Sequence, residues 1–275
     1  MAGLPISQSG QYIERAGYFE FAGEHLYSVV HQVTDPIAQV LLVGPFAAER
    51  HFGYVPWVRW ARYLAARRID VLRFDYRGVG ESTGVFEEMS FGDWADDVEF
   101  FAGLLKRQRP DLPLILHGLE LGALLASKTF EKQLGDALLL WAAPGSGNDV
   151  LRAALSRRVA VDHTFKGANM GKRWPDYVRL LEANQPVDVE GYRWSTNLWR
   201  DSFTMNLPLG KDEAANIAWA GGRPVKRVQL TNSAAPLIKG AWLAYVTLNP
   251  DLSGLFTENF DWIAQLPAVH RSTAA

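Results

Sequence analysis

From Ala38 to Trp141 the chain alternates short, continuous apolar runs with longer segments whose apolar residues recur at helical spacing. Val40-Leu41-Leu42-Val43, Ile69 to Phe74, Leu112 to Leu116 and Ala137 to Trp141 have the look of strands buried on both faces. Between them, Val55 to Arg68 reads as a helix with Pro56 in its first turn and Val58, Ala61, Tyr63 and Leu64 inward. Ser90-Phe91-Gly92-Asp93 resembles a capping box that opens a helix through Leu105, and Leu121 to Phe130 is a further helix. Strand–helix alternation of this kind predicts a mostly parallel sheet with helices on both faces and right-handed crossovers. Residues 17–33 differ. Tyr18, Phe19 and Phe21, the turn Gly23-Glu24, then Leu26, Tyr27, Val29 and Val30 predict two antiparallel strands at the start.

After Pro144 the rhythm breaks. Residues 148–205 are rich in Arg, Trp and Asn and predict a helical or irregular insertion, without clear strands, over the carboxyl edge of the sheet. Short strands are expected to return around Ile217, from Val225 to Leu230 and from Trp242 to Leu248, followed by a closing helix from Leu255 to Leu266. The expected organisation is a core from 1 to 147, a lid insertion from 148 to 205, and the rest of the core from 206 to 275.

Composition narrows the chemistry. The 275 residues include no Cys, which excludes disulfides, thiolate catalysis and Cys-based metal sites. A net charge of −2 gives no broad attraction to nucleic acid. No apolar run approaches the ~20 residues of a membrane helix, and Met1 to Arg15 lacks a signal pattern, so a cytoplasmic location is expected. There is no phosphate loop, dinucleotide fingerprint or metal-spaced His cluster, so neither cofactor nor metal is expected. Seven of the 10 Trp residues follow position 140, and with the Arg-rich insertion they raise the prospect of an anionic or sugar-like ligand. A solvated surface over core aromatics is the competing reading.

One turn carries the functional argument. His117-Gly118-Leu119-Glu120-Leu121-Gly122 joins a buried strand to a helix in the frame G-x-Glu-x-G. The nucleophile elbow of the α/β-hydrolase fold is G-x-S-x-G at this same junction, with glycines because the turn is sharp and its central residue strained. Here the central residue is Glu120. Gly44-Pro45-Phe46 closes an earlier strand, where that fold takes one oxyanion N–H; the second would come from Leu121. Asp75-Tyr76-Arg77-Gly78-Val79-Gly80 is the loop after another sheet strand, with Asp75 and Arg77 expected to brace it.

Together, Pro45 to Arg50, Leu72 to Gly84 with Trp94, Gly118 to Leu125, Leu140 to Pro144 and Val189-Glu190-Gly191-Tyr192 resemble the α/β hydrolases associated with bacterial exosortase systems, especially their second type. The resemblance covers residues 38–195. It implies a bacterial cytoplasmic protein with a hydrolase-fold core, linked to exopolysaccharide and protein-sorting functions. It also implies a family in which the elbow serine varies.

A serine hydrolase of this fold needs Ser, then an acid, then a His in chain order. No His lies between His163 and His270, and Gly221-Gly222 fills the turn expected to hold the acid. Asp149 is the remaining candidate acid. His51, in the oxyanion-side loop, and His117, before the elbow glycine, are the candidate imidazoles for a contact with Glu120. Asp162-His163 reads as a surface pair within the insertion. Two functions follow. One is hydrolysis of an ester- or acyl-type small substrate through Glu120 and the pocket formed by Phe46 and Leu121. The other is a pseudohydrolase that binds a small acyl- or sugar-like ligand, a protein partner or a second copy of itself. An imidazole or second carboxylate within reach of Glu120 would favour the enzyme; a Glu120 saturated by backbone N–H groups would favour the binder.

Overall fold

The computed structural model describes residues 4–8, 10–166, 171–209, 216, 219–230 and 251–269. Eight strands form one sheet. They are β1 (Leu4–Gln8), β2 (Tyr12–Phe21), β3 (Glu24–Val33), β4 (Ala38–Val43), β5 (Ile69–Phe74), β6 (Leu114–Leu119), β7 (Ala137–Trp141) and, after the insertion, β10 (Val225–Val228). Their order is β1-β2-β3-β5-β4-β6-β7-β10. The first three strands and the β3–β5 pair run antiparallel, and β5, β4, β6, β7 and β10 run parallel.

Both faces of the parallel part are covered, so all six residues of β4 and all five of β7 are buried. The helices α2 (Phe91–Gln108) and α3 (Leu121–Glu131) lie on one face, where Phe101, Leu124 and Phe130 pack on Leu41, Phe74 and Leu116. On the other face, α1 (Ala47–Ala65) and the last helix α7 (Ser253–Ala264) pack Trp60, Leu64 and Phe256 against Val40, Leu42 and Ile115. The capping box at Ser90 is present: its hydroxyl accepts the Asp93 N–H at 3.2 Å, and the Asp93 carboxylate accepts the Ser90 N–H at 2.9 Å.

The insertion comprises α4 (Gly147–Lys166), α5 (Trp174–Glu182), the two-stranded hairpin β8 (Val187–Val189) and β9 (Tyr192–Trp194), and the short α6 (Thr196–Asp201). Its two ends are pinned together. Ser146 bridges Asn206, the Gly147 N–H donates to the Met205 carbonyl at 2.7 Å, and the Leu207 N–H donates to the Gly145 carbonyl at 2.9 Å.

Several sequence expectations need correcting. The first sheet helix begins at Ala47, eight residues before the expected start, and Pro56 sits inside it. Pro56 therefore marks no helix start here, and the helix tolerates it as an interior residue. The antiparallel start has a third strand, β1. The insertion contains strands after all, because Glu190-Gly191 adopts positive φ (52° and 87°) and closes a hairpin too short to show alternation. Asp162 is buried rather than at the surface, accepting the Tyr177 hydroxyl and pairing with Arg158 at 3.3 Å. The strands expected at Ile217 and at Trp242–Leu248 lie outside the described residues.

Candidate functional site

The parallel strands deliver their carboxyl ends, and the turns that follow them, to one edge. At the end of β6 the chain turns through Glu120 at φ 53°, ψ −119°, a conformation that side chains other than glycine rarely hold. Glycine is obligatory on either side because α3 starts hard against the sheet. A Cβ on Gly122 would lie 2.0 Å from the Val43 carbonyl oxygen, and one on Gly118 would lie 2.3 Å from the Gly122 carbonyl oxygen.

The turn fixes where the Glu120 side chain goes. Its Oε2 accepts the Leu121 N–H at 2.6 Å and the Phe46 N–H at 3.0 Å. Phe46 is the N-cap of α1 and Glu120 the N-cap of α3, so the starts of two helices converge on one carboxylate oxygen. The Phe46 loop is held in place by the Tyr76 hydroxyl, which donates to the Gly44 carbonyl at 2.6 Å. The Phe46 ring lies between Trp94 and Trp194, with centroids at 5.8 and 5.9 Å. These are the two N–H groups that the fold directs at a developing oxyanion. Here Glu120 fills them with its own side chain.

Burial pushes the Glu120 carboxyl up to about 7, against the opposing pull of the two N–H groups and of Arg157. The acid faces a cleft of about 360 Å³ between the sheet edge and α4, lined by Phe46, Glu49, Pro144, Asp149, Val150 and Arg157. Arg157 forms an ion pair through Nη1 with the buried Glu49 at 2.7 Å and donates from Nε and Nη2 to Glu190 at 2.6 and 3.0 Å. Asp149, in the first turn of α4, is exposed at the cleft rim.

The structure therefore brings Phe46, Glu120, Leu121 and Asp149 to one place. It does not bring the imidazoles there. His51 is exposed on α1 and is not part of the cleft lining. His117 is fully buried on the opposite face of the sheet, where its Nδ1 accepts the Trp60 indole N–H at 3.0 Å inside a box of Trp57, Trp60 and Trp141. Desolvation holds that ring well below its usual range, hence neutral. His117 sits one strand position out of phase with the elbow, so its side chain leaves the sheet on the far face. His270 lies outside the described residues.

The turn assigned to the acid also moves. Gly221-Gly222 precedes β10, so the turn after that strand starts at Gln229. The sequence still offers no carboxylate there, since no Asp or Glu lies between Glu213 and Asp251. Among the described residues no group of His, Asp and Glu could hold a metal ion, and no helix is long and apolar enough to cross a membrane. Sequence reasoning gave no role to Glu49, Arg157, Glu190 or Tyr76. The positive φ that aims Glu190 was foreshadowed only by the Glu-Gly pair.

A mostly parallel sheet with an antiparallel start, a strained elbow and a paired N–H pocket defines an α/β hydrolase fold. The family comparison makes this specific. Residues 51–196 match the serine aminopeptidase S33 family, and the chain belongs to that family. No curated protein matches it in sequence. Among solved structures it is similar to Est1E from Butyrivibrio proteoclasticus with ferulic acid bound, at 14% identity and a TM-score of 0.56, covering 91% of this chain and 100% of that one. It is also similar to a soluble variant of monoglyceride lipase from Saccharomyces cerevisiae in complex with a substrate analog, at 12% identity, TM-score 0.56 and coverage of 94% and 97%. Mouse alpha/beta hydrolase domain-containing protein 10 gives 17% identity, TM-score 0.53 and coverage of 91% and 98%. At these identities the likeness is one of fold.

Proposed function

We propose that this member of the hydrolase family is a pseudohydrolase, which binds a small ligand in the cleft beneath a lid formed by residues 148–205 and does not turn it over. One observation carries the reading: Glu120 Oε2 takes both the Phe46 and the Leu121 N–H groups. A substrate carbonyl entering the cleft would meet no donor pair, because the pair is already bonded to a group that cannot leave. No hydrogen bond from an imidazole to Glu120 occurs among the described residues, so among them neither activation of a nucleophile nor activation of water has an imidazole as its agent. The acyl- or sugar-like character of the ligand rests on the size of the cleft and on the Phe46 ring in a lining that mixes apolar and charged side chains.

A second reading is supported by the elevated Glu120 carboxyl. An acid near neutrality in a cleft is suited to proton transfer, and Asp149 at the rim would be its partner carboxylate. Hydrolysis of a panel of activated aryl esters by the wild type, Glu120→Ala and Glu120→Ser separates the two. The pseudohydrolase gives the same background rate in all three. Turnover in the wild type that collapses in Glu120→Ala would establish a catalytic carboxylate and overturn the first reading.

Within the family, the stretches between residues 38 and 195 support a place among the exosortase-associated hydrolases, and with it a cytoplasmic protein acting beside exopolysaccharide or sorting functions, with a protein partner or a second copy. Cell fractionation and affinity capture with the full chain test that placement.

A further inference from the structure

Three separate parts of the molecule meet on one guanidinium. Glu49 belongs to the first turn of α1 and to the core. Arg157 lies on α4, the roof of the cleft. Glu190 is in the turn of the lid hairpin. Nη1 of Arg157 lies 2.7 Å from Glu49, while Nε and Nη2 grip the two oxygens of Glu190 at 2.6 and 3.0 Å. This is the planar, two-toothed contact that arginine makes and lysine cannot. We propose that Arg157 is a latch that fastens the lid hairpin and α4 to the core at the wall of the cleft, and that its release frees the hairpin to move.

The two ends of the latch are built differently. On the core side Glu49 is only 3% exposed, so without Arg157 a buried carboxylate would lose its counter-charge, which makes the fastened lid the comfortable state for that acid. On the lid side Glu190 is held at φ 52°, an unfavourable value for a side-chain-bearing residue, and this backbone aims its carboxylate at Arg157. The hairpin is also anchored by apolar packing, with Val189 and Trp194 fully buried and the Trp194 ring 5.9 Å from that of Phe46, so Arg157 is the charged part of a mixed contact. Arg193 and Glu87 pair at 3.1 Å with both side chains well exposed, and Tyr192 rests on Phe86 with ring centroids 4.7 Å apart. Arg157 itself is 30% exposed, which leaves the latch within reach of dissolved ions. The proposal does not depend on whether Glu120 is catalytic.

Hydrogen–deuterium exchange on the full chain tests it, read over residues 187–194 and over β4 and β6. Arg157→Gln should raise exchange in the hairpin by about tenfold while β4 and β6 keep their protection. Arg157→Lys, with a single point of contact, should fall between the two. The wild type should shift in the same direction between ~50 mM and ~1 M salt, as the Debye length shrinks to about 3 Å. Hairpin exchange in Arg157→Gln equal to the wild type would overturn the latch. So would protection lost evenly across hairpin, β4 and β6, which is general destabilisation. If Arg157→Gln does not fold, Arg157→Lys decides: exchange equal to the wild type overturns the proposal, and selective hairpin exposure supports it.

Discussion

Glu120 carries opposing demands. Two helix starts favour its charged form, yet burial outweighs them and raises the carboxyl from 4.5 to about 7. Its folded pKa lies above its unfolded one. Its contribution to stability is therefore complete below about pH 4.5 and is lost as pH rises through about 7. Glu120→Gln retains an oxygen for the two N–H groups and removes the titration. Urea unfolding should show the variant gaining on the wild type between about pH 4 and about pH 8; parallel pH profiles would contradict the raised carboxyl. The elbow glycines give a steric prediction at the same scale. Gly122→Ala drives a methyl group into the Val43 carbonyl oxygen, and should destabilise by ~3 kcal/mol or more in the same measurement. The position of Glu120 was legible from G-x-Glu-x-G. The resting place of its carboxylate was not, because one of its two donors, Phe46, is 74 residues away and nothing local encodes that distance.

The elements are tied by a few buried polar bonds. The turn after β5 is fastened to α2 by Arg77, whose backbone N–H and Nε reach Asp97 at 2.9 and 2.5 Å, and by the Trp94 indole N–H, which donates to the Arg77 carbonyl at 3.0 Å. Asp97 is fully buried, so Asp97→Ala strips a nearly buried guanidinium of its main counter-charge, leaving the longer pair with Asp93 at 3.8 Å, and should cost about 3 kcal/mol in thermal or chemical unfolding. Behind the sheet, Trp60→Phe would strand the buried Nδ1 of His117 and should cost about 1–3 kcal/mol. The parallel strands are plain in the sequence, since burial on both faces leaves few polar residues to confuse the pattern. The start of α1 was not, because Pro56 gave a strong false signal inside the helix. Nothing local in the sequence sets Asp97 apart from its neighbours Asp93 and Asp96, and its burial distinguishes it.

For the whole molecule, the alternation of strand and helix suffices to give the parallel sheet. Contacts between the insertion and the core were out of reach, because an Arg-rich segment looks the same whether its charges face water or the Glu49 carboxylate. The pH response of the entire fold includes a second, opposite contribution. His31 is fully buried on β3 and desolvation lowers it to about 4, so its stabilising share is present above about 6.5 and is lost as pH falls to about 4. The stability advantage of the wild type over His31→Gln should shrink across that interval, when followed by denaturant unfolding. A constant difference would mean that the ring is hydrated.

The pinned ends of the insertion have a consequence for how such a protein can change. Chain enters the roof at Gly147 and returns at Met205 through a doorway closed by two backbone hydrogen bonds, with Ser146 and Asn206 paired between them. The sheet, the elbow and the N–H pocket are complete on the near side of that doorway. A roof of another length or chemistry could therefore be exchanged through it as a cassette, altering what the cleft admits while the machinery below keeps its shape.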